Sequence, residues 1–121
     1  MTQFKINKAY PALMRLSELK MPVKKAKGLY ELTKKVEEHF QFAISEEHKY
    51  IAEFNGKENP DGTISFESQD GFGKYQEKML ELGELEIDWN IVPIIISEND
   101  IGTQSISSSD IYSLEDFVSF E

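Results

Sequence analysis

The chain has 121 residues, 40% of them hydrophobic and 29% charged, with a formal net charge of −9 and no cysteine. That length makes one domain, residues 1–121, the natural count and allows one core. The missing thiols exclude a disulfide framework and thiolate chemistry, and no stretch approaches the roughly 20 apolar residues that a membrane helix needs.

In chain order, Phe4 and Ile6 alternate with Lys5 and Asn7, which suits a short first strand. A helix of about ten residues is expected from Tyr10 to Leu19, with Pro11 in its first turn and Leu13, Met14, Leu16 and Leu19 on its apolar face. Pro22 then opens the longest element. Val23, Ala26, Leu29, Thr33, Val36, Phe40, Ile44, Ile51 and Phe54 recur at helical spacing, interrupted only by Gly28. Unbroken from 22 to 54, this helix would be about 50 Å long. Asn55-Gly56 ends it.

KENPDGT, residues 57–63, reads as a turn and Ile64–Glu67 as a short strand. Asp70 is a candidate cap for a third helix over 71–82, with Gly83 closing it. Leu85, Ile87, Trp89 and Ile91 alternate with Glu84, Glu86, Asp88 and Asn90, predicting a strand with one buried and one wet face. It runs into IVPIII, where Pro93 demands an edge or a bend. SENDIGTQ reads as loop, and SSSD supplies caps for a last helix over 108–116. Together these make an α+β fold: a long-helix hairpin, a third helix, a small mostly antiparallel sheet and a short C-terminal helix.

The charge is unevenly placed. Residues 1–35 hold nine Lys or Arg against two acids, whereas residues 36–121 hold four Lys against twenty acids. The long helix is therefore charged against its own dipole, with Lys24, Lys25 and Lys27 at its start and Glu46, Glu47 and Glu53 at its end. Acidic pieces from later in the chain, either the ladder Glu84, Glu86, Asp88 or the tail's Asp110, Glu115 and Asp116, are expected beside the basic end.

No constellation carries chemistry. The three ladder carboxylates would sit about 7 Å apart on one strand face, which suits a solvated face or a partner-facing strip better than a metal site. His39 and His48 are nine positions apart, about half a turn in net rotation at about 100° per residue, so they cannot share a metal. DG at 61–62 lacks the first ligand and the closing Glu of an EF-hand loop, and phosphate-loop, dinucleotide and nucleophile-elbow motifs are missing. No cofactor, metal, catalytic residue or membrane contact is expected, and nucleic acid is not expected as a partner of so acidic a chain. The N-terminus lacks a signal-peptide core, so a soluble cytoplasmic protein is expected.

The tail SSSDIYSLEDFVSFE carries six large apolar residues. Burying Phe117 or Phe120 stabilises by about 1.5–3 kcal/mol against an ordering cost of about 1–2 kcal/mol per residue, so the tail is expected to dock on its own domain. The other reading is a hook that offers Phe117 and Phe120 to a partner.

YPALMRLSELKMPVKKAKGLYELTKKVEE, FGKYQEKMLELGELEID and the closing SSSDIYSLEDFVSFE stand in one order. That order resembles a family of small uncharacterised proteins of tailed bacteriophages and prophages of Gram-positive (Firmicutes) bacteria. Met21 stands where that family has Leu before the Pro, and Ser108 and Asp116 stand where it has Pro. The resemblance implies a phage accessory or assembly factor acting in the host cell, and no activity for any residue. The expectation is a non-enzymatic protein–protein interaction protein with a phage or host protein partner, and a homo-oligomer is among the expected states. Glu84, Glu86, Asp88, Phe117 and Phe120 are its candidate contact residues. The alternative is an acidic inhibitor that mimics nucleic acid to block a host nucleic-acid enzyme or defence complex.

Overall fold

Ile6, Ala9, Leu13 and Leu16 recur at spacings of three and four, and all are buried. In the chain they form one face of a helix, α1 (Gln3–Ser17), and not the strand and shorter helix that the alternation at Phe4–Asn7 suggests. The computed structural model describes residues 1–121. Thr2 caps α1, its hydroxyl accepting from the Lys5 amide at 3.3 Å. Pro11 therefore lies inside the helix, on its exposed side, rather than in the first turn. The apolar stripe, continuous from Ile6, overrides a four-residue alternation.

After a short turn α2 (Val23–Glu53) runs unbroken for 31 residues. Leu29, Leu32 and Val36 meet α1, and Tyr10 stacks on Phe40 with ring centroids 4.3 Å apart. The helix ends at Asn55, which takes the left-handed conformation (φ 58°).

The chain then forms an antiparallel hairpin, β1 (Gly56–Glu58) and β2 (Ile64–Phe66). Lys57 and Glu58 thus belong to a strand; the turn proper is closed by Asp61, which accepts from both the amide and the hydroxyl of Thr63. Next comes α3 (Gln69–Glu84), capped by Ser68 and not by Asp70, with Gly83 inside it. A Cβ at Gly71 would lie 2.8 Å from the Phe54 carbonyl oxygen, so glycine there lets the start of α3 approach the end of α2. Phe66, Phe72 and Tyr75 pack together at this junction.

The strand expected over 84–91 does not form. Glu84 closes α3, and the following segment makes one antiparallel bridge, Thr2 with Glu86. The Gln3 amide donates to the Leu85 carbonyl (2.9 Å) and the Ile87 amide to that of Met1 (2.7 Å). Ile87, Trp89 and Ile91 do turn inward against the core. Alternation reports an extended chain with one buried side; it does not supply a neighbouring strand to complete a ladder.

Beyond Pro93, β3 (Ile94–Ile96) pairs in parallel with β4 (Val118–Phe120), so the β structure is one antiparallel and one parallel pair. The stretch expected as loop holds a one-turn helix, α4 (Glu98–Ile101), where Asp100 accepts from the Ser97 amide (2.8 Å) and hydroxyl (3.1 Å). Last comes α5 (Ser108–Ser113), with Ser107 as its cap. The tail docks on its own chain. Leu114, Phe117 and Val118 join the cluster that α1, α2 and β3 build. Asp110 receives three hydrogen bonds from Arg15 of α1, at 2.6, 3.0 and 3.1 Å. Asp116 lies 3.3 Å from Lys5, and Lys8 sits over the Tyr112 ring.

Phe117 is 2% exposed, so Phe117→Ala is expected to cost about 3–5 kcal/mol in urea unfolding, whereas Phe4→Ala, at an exposed site, stays within about 0.5 kcal/mol. The hydrogen bonds from Arg15 outweigh burial and hold the Asp110 carboxyl below its ordinary range. The stability this contributes is fully present above the ordinary carboxylate pKa of about 4 and is lost as pH falls through the lowered value. Asp110→Asn is thus expected to lower the urea midpoint at neutral pH, with the difference from the parent chain shrinking in acid.

Candidate protein-docking groove

The apolar residues of α3 point in more than one direction. Leu82 is buried, while Leu80 is 64% exposed and Phe72 43% exposed. Tyr75 turns toward α2, its hydroxyl 3.3 Å from a Glu47 oxygen. Burial, then Glu47, push that phenol up to about 12, so it stays protonated and donates. Met79, Leu80 and Gly83 face the start of α1 instead. A Cβ at Gly83 would meet the Phe4 Cβ at 3.7 Å, so the two helices are close there. Phe4 itself is 64% exposed.

Between the two helices lies an open groove of about 620 Å³. Its floor is Phe4, Met79, Leu80 and the Tyr75 ring, and Glu84 stands at its end. Glu77 and Glu84 flank Leu80 along α3 at spacings of three and four, and both are exposed. Lys78 lies 3.7 Å from Glu81, and no cation lies within ion-pair distance of Glu77 or Glu84. The result is an apolar floor with a carboxylate rim.

The predicted contact residues are dispersed. Glu84 lines this groove. Glu86 lies 3.1 Å from the Met1 nitrogen, and Asp88 is exposed on the extended segment, so the three do not share a strand face. Phe117 is in the core, edge-on to Trp89 at 5.4 Å, where it anchors the tail. Phe120 is half-buried on β4. His39 packs edge-on to Trp89, and His48 is exposed beside Glu58 at 3.3 Å. No group of three or more His, Asp or Glu side chains is placed to hold a metal ion, and no helix is long and apolar enough to cross a membrane.

Phe4 and Leu80 were not among the predicted contacts. The signal was present: Leu80 and Leu82 are about 200° apart on a helix, so a single buried face cannot absorb both.

The basic start of α2 is arranged otherwise than the charge split suggests. The tail's Asp110 and Asp116 go to Arg15 and Lys5 of α1, and the ladder lies elsewhere. Of the three lysines at that end, Lys25 alone is engaged: it donates to the Ile95 carbonyl of β3 and lies 4.0 Å from Asp100. Comparison with protein-family models, with curated proteins and with solved structures finds no match to this chain.

Removing Lys25 leaves the Ile95 carbonyl without that donor. Lys25→Met is expected to lower the thermal midpoint measurably, while Lys24→Gln with Lys27→Gln changes stability by about 0.5 kcal/mol or less. Equal effects would contradict this assignment.

Proposed function

We propose that this chain is a non-enzymatic protein-interaction protein, a bacteriophage or prophage accessory or assembly factor of the host cytoplasm. In this reading it takes a basic amphipathic helix of a protein partner into the groove between α1 and α3. The observation that carries the reading is the pair Phe4 and Leu80, each 64% exposed on one apolar floor, with Glu84 at the groove's end and Glu77 one turn before Leu80. Covering each of these side chains releases about 1.5–3 kcal/mol. An amphipathic helix lays its apolar side in such a groove and its basic side on the rim. The resemblance in the order of sequence segments supports the phage setting. A nucleic-acid mimic presents carboxylates without an apolar floor, so the groove favours the helix reading over that alternative.

Titration calorimetry with a helical peptide of Leu and Lys at spacings of three and four, and with its Glu-for-Lys counterpart, tests this. The basic peptide is expected to bind and the acidic one not to. Leu80→Lys is expected to weaken binding by at least about tenfold, as loss of a central apolar contact does. Equal binding of both peptides, or binding indifferent to Leu80→Lys, would overturn the reading.

A further inference from the structure

The first two turns of α2 carry their own exposed surface. Val23 is 83% exposed and Tyr30 65% exposed, and Lys24, Lys27 and Lys34 stand exposed around them. Val23, Lys27, Tyr30 and Lys34 follow each other at spacings of three and four, so they form one stripe. Glu31 is the one acid among them. Ion pairs engage Lys5, Arg15, Lys25, Lys49, Lys74 and Lys78. Lys20, Lys24, Lys27, Lys34 and Lys35 have none. A chain of net charge −9 therefore keeps five unpaired cations at one end, beside two exposed apolar side chains.

That surface has the chemistry the groove selects. We propose that the groove of one copy takes the first turns of α2 from a second copy of this chain, with Val23 and Tyr30 on the floor beside Phe4 and Leu80 and the lysines on Glu77 and Glu84. This rests on the groove reading above and names its occupant. One copy cannot make the contact with itself. Phe4 is at the first turn of α1, and α2 starts beyond the far end of that helix, whose 15 residues span about 22 Å. The contact joins two different surfaces and is therefore head-to-tail. At about 0.1 M salt the Debye length is about 10 Å, so each copy feels the facing charges of its neighbour more than the neighbour's net charge.

Sedimentation velocity on the full chain, on Leu80→Lys and on Tyr30→Glu tests the proposal. Both substitutions are at exposed positions, and circular dichroism checks that each variant is folded. The parent chain is expected to gain mass with concentration, and each variant alone to remain a single chain. An equimolar mixture of the two variants is expected to form a two-chain species and nothing larger, because one intact groove then meets one intact α2 face. A parent chain that stays monomeric while the groove still binds the basic peptide would overturn this proposal and leave the groove reading standing. Self-association that survives either substitution, or that the mixture does not restore, would also overturn it.

Discussion

A helix of 31 residues rises about 46 Å at about 1.5 Å per residue, and α1, with 15 residues, is about half as long. No single neighbour can cover the apolar side of α2, and the fold is arranged around that mismatch. The first half is covered by α1 and β3, through Leu29, Leu32 and Val36. The second half is covered by the β1–β2 hairpin and α3, which bring Phe66, Phe72 and Tyr75 to the end that carries Ile51. The extended segment after α3 ties the halves together by bonding to Met1 and Gln3 at the start of α1. The tail closes the core over the α1 side, with Phe117 between Trp89 and the helices.

Charge follows the same geometry. The acids of the tail meet cations of α1, and Asp100 meets Lys25, so these pairs act as local clips between elements already joined by apolar packing. The Lys5–Asp116 pair is open to solvent on both sides and contributes about 0–1 kcal/mol, whereas the Asp110 and Asp100 carboxylates are largely covered. The start of α2 has no acid in its first turn and its end no base in its last, an arrangement that costs about 0.3–1 kcal/mol at each exposed end. α2 is thus kept against its dipole, and Lys24 and Lys27 near its start stand outside any ion pair.

Much of the fold was legible in the sequence because long periodic patterns are hard to satisfy in more than one way. α2 was readable over residues 22–54, with Asn55 as its stop, because nine positions, eight of them apolar, agree on one period. The docking of the tail followed from the number of large apolar residues between Ile111 and Phe120. Short patterns failed for a physical reason. The alternation at Phe4–Asn7 is outweighed by the stripe Ile6, Ala9, Leu13, Leu16, and the alternation at Leu85–Ile91 marks a half-buried chain without a partner strand. The parallel pairing of β3 with β4 joins segments over twenty residues apart, and no local pattern encodes it. The groove was partly legible: Glu84 was named from the acid ladder, while Phe4 was assigned to a strand and Leu80 was not singled out. Phe117 was legible as a residue that must be covered, and its cover is the chain itself.

The central claim is that α2 is one uninterrupted rod on which the other elements assemble. Native-state hydrogen exchange of its backbone amides tests this most directly. The account predicts protection that continues without a gap from Leu29 through Ile51, strongest at the buried turns around Leu32, Val36 and Ala43. A rapidly exchanging break between these positions, dividing the stretch into two helices that open independently, would contradict it.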